Sequence, residues 1–575
     1  MQRRPWLKTY EKLDKIWESV AQVAEKNLSD YVRDYAAAYA DRIALVYFGT
    51  TTTYSKLNSL TDQFAQLLLD LGATKGDVLA VQMPNTPQYV VAFAAAARIG
   101  LVVTSVSPLL AAPEIIHQCN DAKAKVFLTL DVLYRANASV LAGKIPSLKS
   151  VVVSAVTDMI PGMPATDINS ISNNAVMGDV KVVPFLAALN TVPNTGADSP
   201  LKTSVDFNAT HYLQYTGGTT GAPKGVQLSA SNIFTNNVQG DHFYGYRNGE
   251  ETIASGFPLF HIGGAAILFN ALRTASTFLL IADPRDLEQF CRDMALYPPT
   301  VIANVPALFQ MLVNYDKFRA LDFSGLRIAV SGAAPFSVEE LKRLEEVVGP
   351  NKLCEVYGMT ETSPVQTLNP AEAFKPGYVG IPLPGTDLRI VDSDNPRLEQ
   401  PIGTPGEVVV SGPQVMQGYL ARPEATAEAL LEFGGKRWMR TGDIGFLDED
   451  GYLKICDRSK DMLIVGGYKV FSVEVENKLQ ELPFVDMAAV VGRADEDRPG
   501  NDIVQVYIQR NAISKDSDEA RRQSIIEFCR ANMAPYKVPK EIFFVDALPL
   551  TSVGKIDKKV LRAKQFESSV CEVNV

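Results

Sequence analysis

The 575-residue chain has little of what covalent or zinc-dependent hydrolysis needs. Six cysteines stand at positions 119, 291, 354, 456, 529 and 571, with no CxxC pair among them. That scatter supplies neither a disulfide framework nor a thiolate zinc site, and it suits a reducing, cytoplasmic setting. Histidine is scarce, at four residues, and none lies in an HExxH motif. No GxSxG elbow is present, which removes the usual serine hydrolase. Each Gly-Lys pair (Gly143-Lys144, Gly435-Lys436, Gly554-Lys555) precedes Ile or Arg, so the common nucleotidase loop is missing, as is GxGxxG. Positive charge is short as well. A net charge of -10 and a pI near 5.2 argue against nucleic-acid binding and against standing attachment to anionic lipid, leaving only transient membrane contact open. Long apolar runs are also absent. The most apolar stretch, 263–281, is interrupted by Asn270, Arg273 and Thr277, whereas a membrane span needs about 20 nearly unbroken apolar residues. The opening MQRRPWLKTYEKLDKIWESV carries charge with no apolar segment behind it, unlike a secretory signal.

What is present is an ordinary globular composition, 46% hydrophobic and 21% charged, in a chain too long for one core. In the first half, helix and strand signals alternate. Leu57, Leu60, Phe64, Leu67, Leu68 and Leu71 recur at helical spacing, with Ser55 placed to cap the start and Gly72 the end. VLAVQM, a helix over 89–99 and LVVTSV follow, a pattern that predicts α/β with a largely parallel sheet. Residues 155–200 are rich in turn formers and predict a surface insertion, with VKVVPF its only strand-like piece. The best domain boundary lies near 456–462. Beyond it, a helix from 472, strands in DMAAVVGR and IVQVYIQ and a helix over 520–533 predict one small α+β domain.

The strongest local signal is YTGGTTGAPKG, Tyr215 to Gly225. Thr216, Thr219 and Thr220 bring hydroxyls, while Gly217, Gly218 and Gly221 let backbone amides approach closely. Lys224 brings a cation, so together they suit a polyphosphate. Further on, Thr360 beside Glu361 pairs a phosphate-binding hydroxyl with a hard oxygen ligand for Mg²⁺. Tyr357 offers either a flat face for a base or a core aromatic.

In this order the chain resembles the adenylate-forming family of acyl-CoA synthetases, luciferases and peptide-synthetase adenylation domains. The resemblance rests on YTGGTTGAPKG, SGAAP at Ser331 to Pro335, YGMTE at Tyr357 to Glu361, TGD at Thr441 to Asp443, DRSKD at Asp457 to Asp461 and GKID at Gly554 to Asp557. It implies an α/β fold: a large N-terminal domain of several subdomains with parallel-rich sheets, residues 1–457, and a small mobile C-terminal α+β domain, residues 458–575, hinged near Lys460. It further implies an enzyme using ATP, Mg²⁺ and coenzyme A. Glu361, with Thr216, would hold the metal. Gly332, Ala333, Ala334, Tyr357 and Gly358 would meet the adenine, Asp443 the ribose, and Arg458 the ribose or a phosphate. Lys555 would reach the carboxylate and α-phosphate, and Gly466 and Gly467 would face the second step. His261, in PLFHIGG, has two readings, a group gating the acyl pocket or a side chain that packs. MPNTPQY and DRSKDMLIVGGYKVFSVEVE look most like bacterial medium- and long-chain fatty acyl-CoA synthetases. Where some long-chain members carry a gating tryptophan, this chain has Ala265 after Gly263 and Gly264, which keeps an aryl or alicyclic acid open as substrate. An adenylation module loading a carrier protein is the other alternative. The protein is expected to be a monomer or homodimer.

Overall fold

The computed structural model describes residues 4–18, 20, 23–166, 178–193, 201, 206–216, 222–333, 336, 338–496, 498–511, 517–550 and 556–563. Two compact units emerge. The first comprises Met1–Leu388, Val410–Met439 and Asp450–Tyr452; the second comprises Arg389–Val409, Arg440–Glu449 and Leu453–Val575. Lys460 lies inside the second unit by this division.

Two large sheets organise the first unit. In the nine-stranded sheet the order runs Ile381–Pro382, Val365–Asn369, Leu353–Gly358, Ile328–Gly332, Val301–Asn304, Thr252–Ser255, Thr277–Leu280, Ile43–Tyr47, Thr50–Thr53. Its six central strands, from Leu353–Gly358 to Ile43–Tyr47, are mutually parallel. Val301–Asn304 and Thr277–Leu280 are wholly buried, as central strands of a parallel sheet covered on both faces are. The eight-stranded sheet runs Gly418–Tyr419, Lys224–Ser229, Thr210–Thr216, Val102–Ser105, Val78–Gln82, Ala124–Leu130, Ser150–Ser154, Lys181–Pro184. The parallel α/β architecture expected from the alternation is therefore what forms.

Two local expectations change. The helix expected after Ser55 starts earlier, at Tyr54–Asp70, and its cap is Thr53, whose hydroxyl accepts from the Lys56 amide. Ser55 lies within the first turn. VKVVPF is not a stray strand in an insertion. Lys181–Pro184 closes the edge of the eight-stranded sheet, parallel to Ser150–Ser154, and leads into the helix Phe185–Thr191.

In the second unit, Val485–Ala494, Asp502–Arg510 and Glu541–Val545 form a three-stranded sheet. The helices Ser472–Leu479 and Asp518–Asn532 contribute Val475, Leu479, Ile525, Ile526 and Cys529 to its core. This is the α+β tail read from sequence. Among the described residues no helix is long and apolar enough to cross a membrane.

Candidate active site

The parallel strands of the nine-stranded sheet end side by side, because Ser255 pairs with Ala303, Asn304 with Ser331, and Gly332 with Val356. Carboxyl ends of parallel strands are where open α/β sheets bind ligands. Three of the predicted segments emerge there: the turn to His261 after Thr252–Ser255, Gly332 and Ala333 at the end of Ile328–Gly332, and Tyr357 and Gly358 at the end of Leu353–Gly358. Gly358 is required by close approach, since a Cβ there would lie 1.8 Å from the Pro364 carbonyl oxygen. Ala333 takes a left-handed backbone (φ +70°), a conformation costly for a residue with a Cβ and retained where a fold over-determines it. Ala334 lies outside the described residues.

Thr216 and Lys224 face one another across the mouth of an antiparallel hairpin formed by Thr210–Thr216 and Lys224–Ser229. Gly217, Gly218, Thr219, Thr220 and Gly221, which join them, are outside the described residues. The hairpin is braced from behind. Tyr215 donates to Asp121 (2.8 Å), and Arg422 pairs with the other oxygen of that carboxylate (2.7 Å). Pro223 presents its carbonyl to the His117 ring (3.3 Å).

Glu361 sits on the short helix Thr360–Thr362 and is buried, 6% exposed. Tyr419 connects it to the hairpin. The Tyr419 hydroxyl donates to Glu361 (2.8 Å), while the Lys224 ammonium lies 5.1 Å from the centre of the Tyr419 ring. Tyr419 reaches this place because Gly418–Tyr419 pairs with Lys224–Ser229, Tyr419 opposite Val226. Burial and then the Glu361 charge raise the Tyr419 hydroxyl far above the range of an ordinary phenol, so it stays a donor. One buried carboxylate next to Thr360 in the chain suits Mg²⁺, which takes few protein oxygens and completes its shell with water and phosphate. Among the described residues no cluster of three His, Cys, Asp or Glu forms a self-sufficient metal cage.

His261 caps the helix Ile262–Arg273, its Nδ1 accepting from the Gly263 amide (3.2 Å). Ala265 is wholly buried in that helix, so a tryptophan there would have to displace its neighbours.

In the second unit, Asp443 and Arg458 are cross-strand partners, and the guanidinium holds the buried carboxylate at 2.8 Å. Lys460 is exposed on a turn closed by the Asp461 amide on the Arg458 carbonyl (2.9 Å). Gly466 and Gly467, both with positive φ, make the two-residue turn between Leu463–Val465 and Tyr468–Val470. Lys555 is outside the described residues; Leu550 and Ile556, on either side of its segment, form an antiparallel bridge.

Glu355, two residues before Tyr357, is 4% exposed and accepts from the Phe336 amide (3.1 Å). Burial pushes its carboxyl up to about 7, from an ordinary 4.5. A carboxyl that holds its proton more tightly when folded adds stability below pH 4.5 and loses that contribution as pH rises to 7. Glu355→Gln keeps an oxygen for the Phe336 amide and cannot ionise. The variant should therefore gain on wild type across that window, by about 3 kcal/mol at pH 8. Denaturant midpoints at pH 5 and pH 8 check this, and parallel pH profiles would contradict it.

The AMP-binding enzyme family matches residues 32–420, and the AMP-binding enzyme C-terminal domain matches residues 474–555. A protein of Escherichia coli O6:H1 named long-chain-fatty-acid–CoA ligase is 34% identical over 553 residues, covering 93% of this chain and 94% of its own. One of Bacillus subtilis strain 168 with the same name is 30% identical over 580 residues, covering 98% and 99%. The fold is shared with the crystal structure of the anthranilate CoA ligase AuaEII in complex with anthranoyl-AMP. That likeness has a TM-score of 0.79 at 24% identity, covering 94% of this chain and 97% of that one.

Proposed function

The chain belongs to the AMP-binding enzyme family, and from that premise we propose that it is an AMP-forming acid–thiol ligase that converts a fatty acid to its CoA thioester. The observation carrying this reading is the Tyr419 link, through which the cation of the glycine- and threonine-rich hairpin and the buried Glu361 carboxylate share one side chain. Relatives named long-chain-fatty-acid–CoA ligase, matching nearly end to end, support the fatty acid as substrate.

In the first step a carboxylate oxygen attacks the α-phosphorus of ATP, the bond to the bridging oxygen breaks, and pyrophosphate leaves with the electron pair. In the second, the CoA thiol, losing its proton, attacks the acyl carbonyl and AMP departs. Such transfers depend on positioning and on charge stabilisation, which is what this residue set provides. Thr216 and Thr360 donate to phosphate oxygens, and Lys224 neutralises them. Tyr357 and the backbone at Gly332 and Ala333 take the adenine; Asp443 accepts from the ribose hydroxyls, with Arg458 beside it. Glu361, with Thr216, would hold Mg²⁺, which when bound would supply positive charge for the phosphates. Lys555 serves the first step only, the small domain turning about Lys460 before the surface of Gly466, Gly467 and Tyr468 serves the second.

The test is ATP–pyrophosphate exchange without CoA across fatty acids of increasing length and a set of aryl acids. Exchange driven by the fatty acids and not by the aryl acids is expected. Exchange driven only by aryl acids would overturn the substrate, and no acid-dependent exchange would overturn the activity.

A further inference from the structure

The MPNTPQY segment has no part in the chemistry assigned so far, yet its side chains hold the turn that delivers His261. Backbone polar groups at 256–259 are satisfied by side chains from outside the turn. Asn85 donates to the Phe257 carbonyl (3.0 Å) and accepts from the Leu259 amide (2.7 Å). Tyr89 donates its hydroxyl proton to the Leu259 carbonyl (2.7 Å). Asn304, from the neighbouring strand end, accepts from the Gly256 amide (2.8 Å). The His261 amide then closes the turn on the Pro258 carbonyl (3.0 Å). Gly264 packs against the same turn so tightly that a Cβ would lie 2.1 Å from the Pro258 oxygen.

Tyr89 has a second connection. Its oxygen is hydrogen-bonded to the Ser105 hydroxyl, and the Tyr212 hydroxyl is shared between Ser105 (2.9 Å) and Gln214. Gln214 donates on to the Tyr215 carbonyl (3.4 Å), one residue before Thr216. Tyr89 is 0% exposed, Ser105 3% and Tyr212 1%. Water does not substitute for a lost partner at such depth, so a fully satisfied buried network fixes geometry strongly. The relay runs from the His261 turn, which the family resemblance sets beside the acid, to the strand that feeds the glycine- and threonine-rich hairpin.

We propose that Tyr89, supported by Asn85, is a positioning residue that sets the His261 turn at a fixed place relative to the Thr210–Thr216 strand, and through it registers the acid's carboxylate against the nucleotide. The proposal rests on the function given above, in which a carboxylate and ATP react. It differs from a role in packing alone because its removal weakens the binding of one substrate and not the other. Removing one buried hydroxyl that leaves a carbonyl unpaired has an effect of about tenfold in an equilibrium or rate constant.

The experiment compares the purified full-length wild type with Tyr89→Phe, which keeps the ring and its packing. Acid-dependent pyrophosphate exchange gives KM for the acid at three chain lengths and KM for ATP, and calorimetry gives ATP affinity directly. We expect the acid KM to rise about tenfold, by the same factor at every chain length because the carboxylate end is common to all. ATP affinity should stay within about twofold, since no group bonded to nucleotide is removed. An unchanged acid KM, a loss shared equally by acid and ATP, or a loss graded by chain length would overturn the proposal. Should Tyr89→Phe not fold, Ser105→Ala carries the same test. It cuts the relay in the middle while the Asn85 clamp remains, and the same acid-selective rise is expected at about threefold. A wild type with no acid-dependent exchange would sink the proposed function itself; an active wild type with an indifferent Tyr89→Phe sinks only this inference.

Discussion

Glu361→Gln should lower acid-dependent pyrophosphate exchange by about 10²–10³ and raise the magnesium needed for half the maximal rate. The side chain is nearly isosteric, and its remaining oxygen still accepts from Tyr419, so the helix Thr360–Thr362 and its surroundings should hold. What is lost is the negative charge that draws a hard cation to this point. A magnesium titration of the exchange reaction reads the effect, and Mn²⁺ binding followed by electron spin resonance in the presence of ATP reads it without turnover. Full activity with an unchanged titration would remove Glu361 from the metal site.

A second large effect is expected at Lys555, and here the two steps should separate. Lys555→Ala should reduce adenylation by about 10²–10³, the usual loss for one preorganised charge-stabilising donor. It should still convert supplied acyl-adenylate and CoA to thioester at a near-normal rate. Lys460→Pro should behave oppositely, because a fixed φ at the exposed turn obstructs rotation while leaving the first arrangement accessible. Pyrophosphate exchange reports the first step and thioester formation from synthetic acyl-adenylate the second. Equal losses in both steps for both variants would mean that the small domain does not alternate, and the roles given to Lys460 and Lys555 would fall together.

What could be read from sequence was whatever is local. The hydroxyls, glycines and lysine of YTGGTTGAPKG point to phosphate binding because that chemistry needs them close together in the chain, and residues 217–221 lie outside the described residues. The alternation over residues 57–105 announces a parallel sheet because buried strands and amphipathic helices have distinct periods. The family resemblance was legible for the same reason, each block being short and ordered. Tyr419 was not legible. It sits 58 residues from Glu361 in a two-residue strand with no period of its own, and only the sheet register sets it beside both Glu361 and Lys224. Asn85 and Tyr89 were visible only as part of a family-like phrase, since the backbone groups they satisfy lie about the turn at 257–259, far along the chain. His261 illustrates a different limit. A histidine before two glycines reads equally as a gate or as packing, and the ring's acceptance of the Gly263 amide is a capping geometry that no residue spacing encodes.

The most direct test follows the oxygen. The purified protein is incubated with MgATP, CoA and a long-chain fatty acid whose carboxylate carries ¹⁸O, and AMP and phosphate are analysed by mass spectrometry. If the carboxylate attacks the α-phosphorus, one labelled oxygen leaves with AMP when the thiol takes the acyl group, and inorganic phosphate and pyrophosphate remain unlabelled. Label in inorganic phosphate, with ADP as the nucleotide product, would mean attack at the γ-phosphorus and an acyl phosphate, and would contradict the adenylate chemistry assigned to this chain.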